Sequence, residues 1–338
     1  MKAIQVLSAN DARFTDITTP EISNSNEVRI RVRAGGLCGS DVSIIRGTNV
    51  FATYPRVIGH EVAGEVESVG SAVATLQVGD KVAFEPISYC GSCYACRKNR
   101  PNVCQSLQVY GIHRDGGFCE YLVAPEEKFH KVPDFFTFEQ AAAIEPFTIG
   151  AQCTWRAGVE PGDIVYITGA GPIGLVASET SKSLGATVII SEPNEYRLSL
   201  AKTFGADYLI NPINEDPAER LAELTNGMGP NVVIEATGIP ELVRQAVDLV
   251  SVAGRVVPLG YGSEPVLFSS AQMIKKEVSI IGSRLQTYKF QPVIERLSQN
   301  LTLVDALISR IYPAEQFKQG VADFTNPKSN SCKIILSF

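Results

Sequence analysis

Between positions 27 and 33 the chain reads Glu27-Val28-Arg29-Ile30-Arg31-Val32-Arg33, an unbroken alternation of apolar and charged residues. A period of two puts Val28, Ile30 and Val32 on one face of a strand and leaves the arginines on a solvated face. Segments 62–69, 81–84 and 120–123 read as further strands, with Gly64, Gly70 and Gly79-Asp80 as turns between them. No long segment of 3.6-residue period competes, so residues 1 to about 145 predict a small β-barrel or β-sandwich. After Glu145-Pro146-Phe147 the texture changes. A helical segment over 148–157 leads through Pro161-Gly162-Asp163 to Ile164-Val165-Tyr166-Ile167-Thr168, a continuous apolar run expected of a strand covered on both faces. A helix then runs to 184, followed by strands 187–191 and 208–210, a helix 217–225, a strand 232–236, a helix 240–250 and strands 255–259 and 278–281. Such alternation predicts an open parallel sheet with helices on both faces. A helix over 291–300 and a last strand over 333–336 follow, the strand expected to return to the first domain.

Composition narrows the class. The 338 residues suit two domains, and a net charge of -6 argues against a nucleic-acid or anionic membrane surface. No apolar run reaches the length of about 18 residues needed to span a bilayer, and residues 1–6 do not read as a signal peptide. The expected compartment is the cytoplasm, where disulfides are rare. Eight cysteines then require another account. Four of them, Cys90, Cys93, Cys96 and Cys104, form a C-x2-C-x2-C-x7-C loop. Four thiolates from one short loop can close a tetrahedral shell around structural zinc, and metal would supply that loop's folding energy. An iron–sulfur cluster would use the same donors, and a disulfide pair would need an oxidising compartment. Cys119, Cys153 and Cys332 are scattered and read as small buried hydrophobes.

A second ligand cluster lies between Leu37-Cys38-Gly39-Ser40-Asp41 and Gly59-His60-Glu61. A thiolate and an imidazole make a good donor set for zinc; the alternative is a buried cysteine and a hydrogen-bonded histidine. Of the other two histidines, His130 reads as structural, whereas His113 faces either a substrate or solvent. In the second half, Gly169-Ala170-Gly171-Pro172-Ile173-Gly174 follows a strand and opens a helix, the context the dinucleotide-binding fingerprint requires. The glycines make the turn, admit a pyrophosphate and allow helix to pack on strand, while the helix N-terminus attracts phosphate. Pro172 suits the first helical turn. Glu192, 18 residues beyond Gly174, ends the next strand, where an acid accepts hydrogen bonds from ribose hydroxyls and repels a 2′-phosphate. This favours NAD over NADP, with Arg197 partly offsetting the repulsion. Gly260-Tyr261-Gly262 and Gly282-Ser283-Arg284 follow strand ends and are therefore expected near cofactor or substrate.

Together Gly59-His60-Glu61-Val62-Ala63-Gly64, the four-cysteine loop and Gly169 to Gly174 closely resemble the zinc-containing medium-chain dehydrogenase/reductase family over nearly the whole chain. Glu145-Pro146, where the alcohol dehydrogenase branch has a second cysteine, is similar to the polyol and sugar-acid branch. Tyr54-Pro55-Arg56-Val57-Ile58, His113-Arg114-Asp115-Gly116-Gly117-Phe118 and Ile144-Glu145-Pro146-Phe147 resemble bacterial hexonate dehydrogenases and the group named for starvation sensing. The resemblance implies an α/β fold: a GroES-like catalytic domain, 1–147 with 286–338, and a Rossmann NAD-binding domain, 148–285. It implies two zinc ions per chain. Cys38, His60 and Glu145 would bind the catalytic ion, with Glu61 exchanging with water or joining the metal. Ser40 would pass a proton outward, and Asp41 would hold the His60 ring. NAD(H) would lie on Gly169, Gly171, Pro172, Ile173, Gly174, Glu192, Arg197 and Gly260. A homo-oligomer, dimer or tetramer, is also implied.

The expected reaction is oxidation of a secondary alcohol in a sugar acid, such as L-gulonate or L-galactonate, through an alkoxide and hydride transfer to NAD. Arg284 and His113 are the candidates for the substrate carboxylate, since arginine grips a carboxylate with two parallel bonds; Arg284 could instead contact the cofactor. A sorbitol-like polyol or L-threonine dehydrogenase is the nearest alternative. A non-catalytic regulator sensing NAD or a metabolite is the alternative of another class.

Overall fold

The alternating segment forms the strand Glu27–Gly36, with Val28, Ile30, Val32 and Ala34 buried and the arginines on its wetter face. In the computed structural model, which describes residues 1–262 and 264–338, this strand organises a seven-stranded sheet. The order is Phe129–Lys131, Lys81–Phe84, Glu61–Val69, Glu27–Gly36, Lys333–Ser337 and Ile308–Pro313, with Tyr121–Pro125 also pairing on the central strand. Pairing is antiparallel except between the last two strands. The register sets Gly36 opposite Glu61 on one side and Ile335 on the other. The C-terminal strand thus returns to the beginning of the chain. The compact unit comprises Met1–Glu145 and Phe290–Phe338.

Helices interrupt the region read as a small β-barrel or β-sandwich, Gly39–Arg46 and Phe138–Ala142 among them. Gly39–Arg46 buries Asp41, Val42 and Ile44, but at 8 residues it is too short for a helical period to stand out. Phe138–Ala142 starts at a capping box, in which the Gln140 N–H donates to the Thr137 hydroxyl (3.1 Å) and the Thr137 N–H to the Gln140 side chain (2.9 Å). His130 is structural, 2.8 Å from a Glu85 carboxylate oxygen and stacked on Phe290. Cys119, Cys153 and Cys332 are buried.

The second unit, Pro146–Lys289, holds a six-stranded parallel sheet in the order Tyr208–Ile210, Thr187–Ser191, Ile164–Thr168, Val232–Glu235, Arg255–Pro258, Ser279–Ile280. Ile164–Thr168 lies between the two oppositely wound halves, the point at which such sheets open a ligand crevice. Its core residues Val165, Tyr166 and Ile167 are buried, as are Val188 to Ile190 and Val232 to Ile234. The preceding helix, Ile144–Ala157, begins four residues before the expected start at 148. Pro146 falls in its first turn, where a missing N–H removes no helical bond, so a proline that reads as a boundary is inside the helix. No helix among the described residues is long and apolar enough to cross a membrane.

Ile167 is fully buried. Ile167→Ala is expected to destabilise this unit by about 2–5 kcal/mol, seen as a lower midpoint in urea unfolding.

Candidate active site

The strand Glu27–Gly36 delivers the chain to Cys38, which caps the helix Gly39–Arg46. Asp41, fully buried in the first turn, accepts the Cys38 N–H at Oδ2 (2.9 Å) and the Gly59 N–H at Oδ1 (3.2 Å). One carboxylate therefore binds together the two stretches that carry the sequence-predicted metal ligands. Gly59 has φ +97°, and a side-chain carbon there would lie 2.1 Å from the Phe118 ring, so no other residue fits. The next residue, His60, turns Nδ1 towards Asp41 Oδ1 (3.6 Å), with Nε2 3.5 Å from Ser40 Oγ. Nδ1 is buried and lacks a hydrogen bond of normal length. With Asp41 behind Nδ1, Nε2 is the nitrogen placed to meet a metal. Burial alone would push the imidazole pKa down. The charges of Asp41 and Cys38 outweigh it and hold the ring well above its ordinary value.

The Cys38 sulfur, a His60 ring nitrogen and a Glu61 carboxylate oxygen all lie within 4.8 Å of one another. Soft sulfur, imidazole and carboxylate at that separation fit a zinc ion. Glu145, in the first turn of Ile144–Ala157, is buried but outside that close group. Burial pushes its carboxyl up to about 7, against the pull of the His60 charge and with the push of Glu61, so it shares the electrostatics of the cluster.

Sequence reasoning missed Lys333. Its ammonium donates to both Glu61 oxygens (2.6 and 2.7 Å) and to the Leu37 carbonyl (3.0 Å), and the side chain is 2% exposed. Desolvation would lower its pKa; Glu61 more than offsets this and keeps the amine charged. The available signal was a lysine opening the apolar run Ile334-Ile335-Leu336 in a strand with no wet face.

The four-cysteine loop closes on itself. Sulfur–sulfur distances are 3.4 Å for Cys90–Cys104, 3.5 Å for Cys93–Cys96 and 3.8 Å for Cys93–Cys104. Thiolates bound at about 2.3 Å around a tetrahedral zinc lie about 3.8 Å apart, so the spacing suits the ion. Backbone N–H groups already point at sulfur: Cys93 N to Cys90 (3.4 Å), Cys90 N and Ser106 N to Cys104 (3.3 Å each). Backbone N–H donors at Ser92 and Cys93 hold the Cys90 thiol down to about 6.

In the second unit Gly169 makes the turn after Ile164–Thr168 and Gly171 caps the helix Pro172–Ser183, which contains Ile173 and Gly174. A side chain at Gly174 would stand 1.9 Å from the Gly169 carbonyl oxygen, and around Gly171 the space is open. Glu192 is buried, its oxygens accepting the Ala170 N–H (2.8 Å) and the Asn194 N–H (2.9 Å). Asn194 in turn caps the helix Glu195–Thr203 through the Arg197 N–H (3.0 Å). Gly260 lies against Gly238. Arg284 is on the loop after Ser279–Ile280, tied down by Arg156 Nε to the Gly282 carbonyl (3.1 Å) and the Thr287 N–H to Gln152 Oε1 (3.1 Å). His113 belongs to the first unit, accepts the Val109 N–H at Nδ1 (3.1 Å) and has its ring 5.7 Å from that of Phe51.

Residues 24–134 match the alcohol dehydrogenase GroES-like domain, and residues 172–299 match the zinc-binding dehydrogenase family. The starvation-sensing protein RspB of Escherichia coli is 38% identical over 100% of this chain and 99% of its own. The L-galactonate-5-dehydrogenase of E. coli is 35% identical over 89% of each. An RspB alcohol dehydrogenase structure from E. coli CFT073, complexed with NADH, superposes with a TM-score of 0.93 over 100% of this chain and 99% of its own. The chain belongs to the zinc-binding dehydrogenase family. It is an oxidoreductase with a GroES-like and a Rossmann-type domain. The paired resemblance to sugar-acid and starvation-sensing dehydrogenases accords with these relatives.

Lys333→Met in this dehydrogenase would leave Glu61 as a buried charge without its partner and is expected to cost about 3–5 kcal/mol of stability, measured by chemical denaturation of the first unit's signal. Cys104→Ser is expected to remove one zinc per chain, counted by metal analysis, and to make the 90–104 loop sensitive to proteolysis.

Proposed function

We propose that this dehydrogenase oxidises a secondary alcohol in a sugar acid of the L-gulonate or L-galactonate type to the keto acid, with NAD as acceptor. The meeting of Cys38, His60 and Glu61 donors within 4.8 Å, in a chain of this family, carries the reaction class. Cys38, His60 and Glu145 would hold the catalytic zinc, with Glu61 as the adjacent carboxylate, and Cys90, Cys93, Cys96 and Cys104 would hold the structural one. Bound zinc would supply a Lewis acid that acidifies the substrate hydroxyl, and NAD would be the hydride acceptor.

The chain's own residues do the rest. Asp41 fixes the His60 ring from behind. Ser40 Oγ, 3.5 Å from His60 Nε2, stands at the same nitrogen and takes the hydroxyl proton outward. Lys333 holds Glu61 by both oxygens and sets how much negative charge the site presents. On the cofactor side, Glu192 is held by two backbone N–H groups and keeps lone pairs for ribose hydroxyls. For the substrate, the Val109 N–H at His113 Nδ1 places the neutral ring's proton on Nε2, a donor suited to a hydroxyl or carboxylate. Arg284 supplies the cation that a hexonate requires and an uncharged polyol does not. The 35% identity to an L-galactonate-5-dehydrogenase supports this substrate class. The relationship to a starvation-sensing protein favours a sensing role as the second reading; the meeting of the Cys38, His60 and Glu61 donors supports catalysis.

NADH absorbance with zinc-loaded protein tests the assignment on a panel of hexonates, matching polyols, L-threonine and simple alcohols. One hexonate is expected to turn over well, to lose turnover in Cys38→Ala and to show a KM raised about tenfold or more in Arg284→Ala, as for loss of a charge-assisted bond. Equal turnover of polyols would move the substrate to that class. Silence across the panel, with zinc and NADH bound, would leave the sensor.

A further inference from the structure

The strand Val232–Glu235 is apolar until its last residue, and that residue is a fully buried glutamate. Its donors are neutral and lie at the end of the sheet. One carboxylate oxygen accepts the Thr237 N–H (2.7 Å) and the Thr237 hydroxyl, and both oxygens lie 3.1 Å from the Gly238 nitrogen. The Thr168 hydroxyl, at the end of Ile164–Thr168, approaches to 3.5 Å. The Glu235 carbonyl accepts the Leu259 N–H (2.8 Å), which follows the strand Arg255–Pro258. Two neighbouring strand ends, those of Ile164–Thr168 and Val232–Glu235, therefore meet at this side chain, and a third, that of Arg255–Pro258, is bonded to the backbone of the same residue, at the point where the winding of the sheet reverses.

The contacts continue into the glycine turn. Thr237 Cγ2 lies 2.8 Å from where a side-chain carbon on Gly169 would stand, and Gly238 Cα lies 2.0 Å from the corresponding point on Gly260. On the other side of the turn the Ala170 N–H is held by Glu192. Gly169-Ala170 is thus fixed between two buried carboxylates, Glu192 directly and Glu235 through Thr237. A core position needs no charge, and a buried carboxylate is costly unless its donors require it; here those donors are the loop that follows the strand.

We propose that Glu235 is a positioning residue for the dinucleotide. By holding Thr237 it sets the place of Gly169, and so of the turn that meets the pyrophosphate. By holding Gly238 it sets the close approach of Gly260. The inference rests on the reading that this crevice takes NAD.

The test uses full-length, zinc-loaded protein and calorimetric titration with NAD, NADH and ADP-ribose. Glu235→Gln keeps the volume but turns an amide N–H2 towards the loop's donors. All three dissociation constants are expected to rise by the same factor, about tenfold or more, because all three ligands carry the pyrophosphate. In turnover, KM for NAD is expected to rise while kcat at saturating NAD stays within about twofold, and zinc content is unchanged; a purely structural role would not produce that split. Thr237→Ser keeps both donors to the carboxylate and removes only the methyl against Gly169, and is expected to weaken NAD by about threefold or more. Affinities within twofold of wild type in a folded Glu235→Gln protein would overturn the proposal. Should Glu235→Gln not fold, the same result in Thr237→Ser would overturn it. Failure of wild-type protein to bind NAD or ADP-ribose while holding its zinc would instead remove the underlying reading.

Discussion

The candidate active site depends on the carboxylate of Asp41. Strand register sets Gly36 opposite Glu61 and so brings the segments that carry Cys38 and His60 alongside each other, and Asp41 ties them. Asp41 accepts a backbone N–H from each side, at Cys38 and at Gly59, and faces the His60 ring from behind. Charge-assisted bonds of this kind are each worth about 1.5–3 kcal/mol in a dry site. The same group therefore closes the fold locally, orients the imidazole and raises its basicity.

Around that group the protein has gathered more charge than a core normally holds. His60, Glu61, Glu145 and Lys333 are all buried, and Glu61 and Lys333 pair with each other. A buried ion pair is seldom a source of net stability, because desolvation consumes most of the attraction. Its presence is better understood as a functional constraint. Lys333 opposes the burial that raises the Glu61 pKa and restrains that carboxylate beside Cys38 and His60, its ammonium also gripping the Leu37 carbonyl. The four-cysteine loop solves a different problem. It has little apolar content, and its backbone N–H groups are already turned towards sulfur, so the folding energy it lacks is the energy a metal brings.

The nucleotide-fold unit uses buried carboxylates in another way. Glu192 follows a strand and Glu235 ends one, and both take their hydrogen bonds from loop residues at strand ends rather than from cations. Loop backbone at a strand end has N–H groups without ladder partners, and a carboxylate with four lone-pair sites satisfies several at once. On the proposed reading, a glycine turn held in this way needs less ordering when a dinucleotide binds.

Much of this was legible in the sequence wherever the signal was local. Alternation marked Glu27–Gly36, continuous apolar runs marked the parallel strands, and the glycine turn was placed by its strand and helix. The cysteine loop was legible because its ligands lie within a few residues of one another. Glu192, adjacent in sequence to the strand it ends, was readable by offset alone. The short helix Gly39–Arg46 was not, since eight residues give barely two turns of pattern. Nor was the start of Ile144–Ala157, where a proline reads as a boundary but is tolerated in a first turn. Lys333 and Glu235 were illegible for a deeper reason. The partner of Lys333 lies 272 residues away, brought opposite by strand register, and Glu235 holds a threonine set against a glycine in the turn after a neighbouring strand. Donor types, strand and helix periods and the family could be read along the chain. Which buried charges face each other could not, because burial and pairing are set by register between distant strands, and a one-dimensional pattern does not carry that register.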